Sequence, residues 1–172
     1  MTSQLRVDKI LPVDGAPTGG GGGVIQVKTV TKTDKFITAS QTPVDITGFS
    51  VAITPKFSTS KILVVYSLNI SGSSGYSSFR LIRGNTSILL GDEDGIRERC
   101  TFGTYVSSSN LHNVCGTFLD SPSSTSAVTY KMQGYNPYSS SYFTAVNYQY
   151  NNANQKYVNV VPSVLTVMEV SA

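Results

Sequence analysis

The sequence lacks most of the residues from which metal sites are built. Its 172 residues include no tryptophan, one histidine and two cysteines, and only 13% are charged. A zinc site needs three or four His, Cys or carboxylate ligands at workable spacing, which this inventory disfavours. Cys100 and Cys115 form no CxxC pair, and each lies in an alternating stretch. We expect both to be small buried core residues, with a disulfide between facing strands as the alternative.

Catalytic signatures are also absent. No serine lies in a GxSxG elbow, and His112 falls in a loop-like stretch where we expect it to be solvated. Gly19–Gly23 are followed by Val24 and a strand, whereas a phosphate loop ends in Lys-Ser/Thr and opens a helix. Asp92–Asp94 indicate a solvated charged loop, with ion pairing between chains or calcium binding as alternatives. We therefore predict that the protein is not an enzyme and holds no cofactor and no resident metal.

Long apolar runs and basic stripes are missing as well. No stretch approaches the roughly 20 apolar residues of a membrane span. The net charge is only +3, and the 13 Lys and Arg residues are spread along the chain, which argues against a nucleic-acid partner. The first residues have no long apolar core and include Asp8 and Asp14, so we predict no signal peptide and no membrane insertion.

Strand signals fill most of the remaining sequence. Val24–Lys32 alternates apolar and polar residues, Lys61–Ile70 reads as a central strand, and Gly84-Asn85 suits the turn of a tight hairpin. The other predicted strands are Val44–Ile53 (with a bulge near Gly48), Phe79–Arg83, Thr86–Leu90, Thr101–Val106, Asn113–Leu119, Ala127–Gly134, Tyr142–Gln149 and Val161–Val170. No βαβ alternation appears, so we predict an all-β, antiparallel jelly-roll β-sandwich of nine or ten strands.

A glycine run divides the chain. We predict an extended N-terminal arm over residues 1–18, a glycine hinge over residues 19–23 and a single sandwich domain over residues 24–172. The arm contains a short strand-like stretch, Leu5–Leu11. Its apolar residues are the ones that we expect to attach the arm to a partner: Leu5, Val7, Ile10 and Leu11.

Tyrosines are concentrated near the C-terminal end of the sequence. Seven of the ten lie between Tyr130 and Tyr157, among asparagines, glutamines and serines. Tyrosine supplies rigid amphipathic contact area, while Asn and Ser supply adaptable hydrogen bonds, and the mixture also suits stacking on sugar rings. One interpretation makes Tyr130, Tyr148 and Tyr150 ordinary strand residues at sheet edges or subunit contacts. The other assigns ligand contact to residues of the loops: Tyr135, Asn136, Tyr138, Tyr142, Tyr150 and Asn152.

The N-terminal segment and several stretches of the body resemble a known group of proteins. The opening TSQLRVDKILPVDGAPTGGGGG is similar to N-terminal segments of bacteriophage tail-fibre and related virion proteins, especially marine ones. The body resembles their C-terminal modules, which look like jelly rolls of the tumour-necrosis-factor and C1q type. The stretches that carry this likeness are Ile46–Pro55, Ser60–Val64, Arg83–Asn85 and Leu165–Val170.

This resemblance implies a homotrimer located in the virion. Residues 1–23 would attach it to phage capsid or tail proteins, and its distal loops would face a host surface glycan or receptor. The long shaft repeats of a full fibre are lacking, so a short fibre or knob fits better. The alternative is a capsid decoration (cement) protein that stabilises the shell.

Overall fold

The computed structural model describes residues 23–108, 110–149 and 153–171, and within them the regular structure is entirely β. The predicted arm, with Leu5, Val7, Ile10 and Leu11, lies outside the described residues, as do Tyr150 and Asn152. Within these ranges no helix is long and apolar enough to cross a membrane. The strands are β1 Val24–Lys32, β2 Phe36–Thr38, β3 Val44–Ile53, β4 Lys61–Gly72, β5 Ser74–Arg83, β6 Thr86–Ile88, β7 Phe102–Ser107, β8 His112–Asp120, β9 Val128–Tyr135, β10 Thr144–Val146 and β11 Ser163–Val170.

The strands form two antiparallel sheets. One sheet has the order β1-β11-β4-β8, and β10 and β2 extend it beside the last residues of β4. The other has the order β3-β9-β5-β7, and β6 pairs with the second half of β5. Early and late strands alternate in both sheets, which is the strand order of a jelly roll. The prediction of an all-β antiparallel sandwich is confirmed.

The core lies between the sheets, on the inward phase of each alternating strand. In β4, residues Ile62, Val64, Tyr66, Leu68 and Ile70 are all buried, while the residues between them are half-buried on the outer face. Burial of each such side chain contributes roughly 1.5–3 kcal/mol. The opposite sheet and β11 supply other core residues, among them Ile46, Phe49, Ile53, Phe79, Leu81, Tyr130, Met132, Leu165 and Val167.

Three local predictions are confirmed. The β3–β9 ladder shifts register between Asp45 and Ser50, and Gly48 in that gap has a φ of +73°, so the predicted bulge is present. The β5–β6 hairpin turns at Gly84, whose φ is +58°. Strand β4 is central because β11 and β10 pair with one of its edges and β8 with the other.

Other predictions are wrong in extent or phase. The predicted strand Tyr142–Gln149 is ordered as a strand only over β10, because Asn147 takes a φ of +70° directly after it. The three-residue strand β2 was not predicted. His112 opens β8 and is half-buried, with its Nε2 atom buried and unpaired, so it is not a solvated loop residue.

The cysteine prediction is also wrong. Cys115 is exposed because it lies on the outward phase of β8, and Cys100 is half-buried just before β7. Both thiols are free. Residues Asp92–Asp94 are exposed, and Asp94 forms an ion pair with Arg97. The described residues contain no group of three or more His, Cys, Asp or Glu side chains that could hold a metal ion.

Strand register gives the sandwich two distinct ends. Val24 pairs with Val170, which pairs with Lys61, and these residues define what we term the entry end. Strand β4 runs from Lys61 to Gly72, and the chain turns there into Ser74 of β5, which defines the far end. At about 3.3 Å per residue, the twelve residues of β4 separate the two ends by roughly 35 Å.

Candidate functional site

Four tyrosines from three segments meet at the far end, and we term them the tyrosine cluster. Tyr76 of β5 and Tyr105 of β7 are a cross-strand pair, with ring centroids 5.4 Å apart in an edge-to-face arrangement. Tyr138 meets Tyr76 edge to face at 6.0 Å, and it stacks on Tyr142 at 5.9 Å. The rings therefore form a continuous row in the order Tyr105, Tyr76, Tyr138, Tyr142.

Three of the four rings are open to solvent. The exposed fractions are 55% for Tyr76, 57% for Tyr105 and 64% for Tyr138, whereas Tyr142 is half-buried beneath them. Buried tyrosines pack their rings inside the protein, whereas these three keep part of their aromatic surface in contact with solvent. The cluster is therefore a surface that can contact a ligand.

The backbone beneath the cluster has an unusual conformation. Ser74 and Gly75 have φ values of 135° and 125°, where the chain turns from β4 into β5. A Cβ atom at Gly75 would lie 3.3 Å from the Tyr142 ring and 3.4 Å from Nδ2 of Asn136. The missing side chain thus lets the loop of residues 136–143 pack directly onto β5.

Asn136 holds that loop in place. Its Oδ1 atom accepts hydrogen bonds from the backbone N–H groups of Tyr138 (3.1 Å) and Ser139 (3.2 Å). This is the side-chain turn that Asn forms with residues that follow it. Asn136 is fully buried, so it positions Tyr138 and is not itself a surface contact, contrary to the sequence-based assignment.

Tyr135 is removed from the contact set for a similar reason. It is 1% exposed, and its hydroxyl donates to Oε1 of Glu98 at 2.5 Å. The guanidinium of Arg80 lies 5.4 Å from its ring centroid and pairs with the same carboxylate. Burial, and then the hydrogen bond to Glu98, raise the pKa of Tyr135 far above its usual range. The residue is therefore part of the core.

Tyr130 and Tyr148 were predicted to lie at sheet edges or subunit contacts, and the structure places both of them elsewhere. Tyr130 is fully buried between the sheets, and its hydroxyl donates to Oδ2 of Asp120 at 2.6 Å. Tyr148 is 6% exposed, with Lys35 over its ring. Neither is a sheet-edge contact, because each has its ring packed inside the molecule.

The three segments that build the cluster carry uncharged polar groups. Ser74 Oγ and Tyr105 Oη are 2.9 Å apart, and beneath them Ser77 Oγ and Thr144 Oγ1 are 2.7 Å apart. The three contributing segments, Ser74–Phe79, Phe102–Ser107 and residues 136–143, contain no charged residue. The arrangement offers aromatic surface and neutral hydroxyl groups, and it suits binding rather than proton transfer.

Sequence reasoning identified Tyr138 and Tyr142 but missed Tyr76 and Tyr105. The latter two are far apart in the sequence and outside the tyrosine-rich segment, and only the β5–β7 register brings them together. Only a correct prediction that β5 pairs with β7 in this register could have placed Tyr76 beside Tyr105.

A second surface is the outer face of the sheet β1-β11-β4-β8. Its apolar row runs across four strands through Val27, Met168, Leu63 and Leu119, which are consecutive cross-strand partners. Val27 and Leu119 are 52% and 55% exposed. The next two rows are uncharged, and their members are Thr29, Thr166, Val65 and Thr117, followed by Thr31, Val164, Ser67 and Cys115.

Comparison with known proteins is limited to structure. No protein-family model matches the chain, and no curated protein matches it. Over 99% of its length the chain is similar to a chain in the structure of infectious bursal disease virus Gx strain, with 12% sequence identity and a TM-score of 0.38. It spans 43% of that viral chain. The fold assigned here follows from the strand pairing described above.

Proposed function

We propose that this chain is a virion structural protein, a short trimeric knob that is anchored at its entry end and presents the tyrosine cluster outward. The sequence resemblance to phage fibre proteins supports the virion role. The observation that carries the proposal is the polarity of the sandwich. Residues that precede Gly23 join the domain at the entry end, where Gly23 O accepts a hydrogen bond from Ser171 N, and the cluster lies at the far end.

This polarity suits a display module. A protein that carries its attachment peptide at one end and a rigid exposed aromatic surface at the other holds that surface about one strand length from its anchor. Anchoring is assigned to residues 1–23, and no catalytic step is part of the proposal.

The trimer is supported by the outer face of the β1-β11-β4-β8 sheet. Three successive cross-strand rows there carry no charge, and the first row is wholly apolar. A neutral face can lie around a threefold axis, where the same face of three copies converges without like-charge repulsion, and closed cyclic symmetry is usual among soluble homo-oligomers.

The oligomeric state tests this part directly. We expect light scattering and native mass spectrometry of the purified full chain at micromolar concentration to give a trimer. Leu63→Glu should yield a monomer, because it would bury a carboxylate in the apolar row. Thr125→Glu, at an exposed position outside this face, is the control and should remain trimeric. A monomeric wild-type protein would overturn the trimer.

The virion role is tested by a density map of the particle. We expect residues 1–23 to contact capsid or tail protein and the tyrosine cluster to point away from the particle.

The same neutral face also suits the alternative, a cement protein, because it could lie over capsid subunits. In that case the isolated chain would be monomeric, and the map would show the sheet face covered by capsid protein. A chain missing from the particle would contradict both functions.

A further inference from the structure

We propose that the tyrosine cluster binds uncharged carbohydrate chains, with the exposed residues Tyr76, Tyr105 and Tyr138 as the contact residues. The inference rests on the proposed function, because it names the ligand class of the end that the knob presents outward.

The row of rings is preorganised. Consecutive centroids are 5.4, 6.0 and 5.9 Å apart, and each ring is held by contact with the next. The planes of consecutive rings are inclined by 84°, 68° and 23°, so the row is not one flat platform. One sugar ring can stack on an exposed ring face while the edge of a neighbouring tyrosine borders it. Because the side chains are already fixed by one another and by the Ser74–Tyr105 hydrogen bond, little side-chain entropy is lost on binding.

The surrounding groups match sugar hydroxyls. Hydroxyl groups of Ser74, Tyr105 and Tyr76 can act as donors and as acceptors, as the hydroxyl groups of a sugar can. The segment 136–143 adds Ser139, Ser140 and Ser141 beside Tyr138. A ligand with an apolar ring face and a rim of hydroxyls is the complement of such a surface.

Asn136 supplies an independent indication. Its Nδ2 atom is buried and has no hydrogen-bond partner, although a buried donor without a partner costs about 1–3 kcal/mol. This donor lies at the point where Gly75 and the Tyr142 ring meet. The cluster thus has an unsatisfied donor directly beneath its rings, in addition to the hydroxyl groups on its surface.

The charge pattern separates carbohydrate from nucleic acid. Aromatic rows also stack nucleobases, but those proteins add a basic groove that follows the phosphates. The three segments that build the cluster have no Lys or Arg. Neutral carbohydrate is therefore the ligand class that the rings and these three segments favour.

The test uses the full chain and a panel of neutral oligosaccharides of glucose, galactose, mannose and N-acetylglucosamine, in α- and β-linked forms. Binding can be followed by intrinsic tyrosine fluorescence because the protein lacks tryptophan. We expect at least one panel member to bind with a millimolar or lower Kd. Tyr76→Ala and Tyr138→Ala should each raise that Kd by about tenfold or more.

Two variants serve as controls. Tyr76→Phe keeps the ring and should retain most of the affinity. Tyr157→Ala removes a tyrosine that is 72% exposed outside the cluster, and it should leave the Kd unchanged. Circular dichroism of each variant verifies that the fold is retained, which we expect because the three altered positions are exposed.

Four outcomes would overturn the inference. They are no binding to any panel member, equal weakening by Tyr157→Ala, tighter binding to sulfated sugars or single-stranded DNA, and loss of trimer in the cluster variants. If the wild-type chain is trimeric and present on the particle but binds no panel member, only the carbohydrate assignment fails.

Discussion

The two ends of the sandwich are stabilised by different chemistry. At the entry end, Asp120 is buried, accepts a hydrogen bond from Tyr130 and pairs with Arg83 at 2.8 Å. At the far end, the contacts within the tyrosine cluster are ring–ring contacts and a hydrogen bond between neutral hydroxyls. Tyrosine occurs at both ends, so its role depends on what its hydroxyl and ring meet.

A second buried carboxylate reinforces the contrast. Glu169 is fully buried near the entry end, where it accepts hydrogen bonds from Nε2 of Gln26 (2.6 Å) and from the backbone N–H of Lys56 (2.7 Å). Charge-assisted hydrogen bonds of this kind are stronger than neutral ones. The entry end is therefore the better candidate for the part of the fold that sets stability, and the far end is free to vary its surface.

The largest expected effect comes from removing the Asp120 carboxylate. Asp120→Ala should lower the free energy of unfolding by about 2–4 kcal/mol, because it leaves the Tyr130 hydroxyl and the Arg83 guanidinium without their acceptor. Urea denaturation followed by circular dichroism measures this. A loss of less than about 1 kcal/mol would show that the carboxylate does not support the entry end.

The next prediction compares one hydroxyl at each end. Tyr130→Phe should cost about 1–2 kcal/mol of unfolding free energy, because Asp120 loses a buried donor. Tyr105→Phe is the matched control, since it removes an exposed hydroxyl, and it should change stability by no more than about 0.5 kcal/mol. Equal effects in the same urea experiment would remove the distinction between the ends.

The smallest effect concerns pH. Burial by itself would raise the pKa of Glu169, but hydrogen bonds from Gln26 and from the Lys56 and Phe57 amides hold that pKa below its usual value. The unfolded chain then binds a proton at higher pH than the folded chain does. Stability from Glu169 is thus complete above the unfolded pKa of about 4.3, and it is lost as pH falls through the lower folded pKa.

The experiment is a series of thermal unfolding curves from pH 7 to acid. Wild type should lose stability in the acid range more steeply than Glu169→Gln, which should be less stable at pH 7. Parallel curves for the two proteins would contradict the assignment. Carbohydrate binding at the tyrosine cluster should not follow this transition while the protein stays folded.

The strands were predictable because apolar and polar residues alternate in the sequence wherever one face of a sheet is buried. Val24–Lys32 and Val44–Ile53 were predicted with their exact bounds for this reason. Strand β2, with three residues, is too short to show a period. The strand predicted over Tyr142–Gln149 was longer than the observed β10, because the apolar and aromatic residues of this stretch do not reveal the positive φ of Asn147.

The phase of an alternating strand is harder to predict than its existence. Cys115 lies in an alternating stretch, as expected, but on the outward phase, where nothing about a small apolar residue fixes its direction. Tyr135 ends β9 next to a buried Gly134 and so departs from the alternation altogether. Its burial depends on Glu98 and Arg80, which come from other segments and which local pattern cannot supply.

The β1–β11 pairing has a mechanical consequence. If the chain is anchored through Gly23 and the tyrosine cluster is bound to a surface, a force that pulls the two apart acts along the strands. Strand β1 would then have to slide past β11, and the hydrogen bonds across eight paired positions would share the load together. A pull from the other end of β1 would break them one after another. The topology thus resists force best in the direction that an anchored, surface-gripping module would experience.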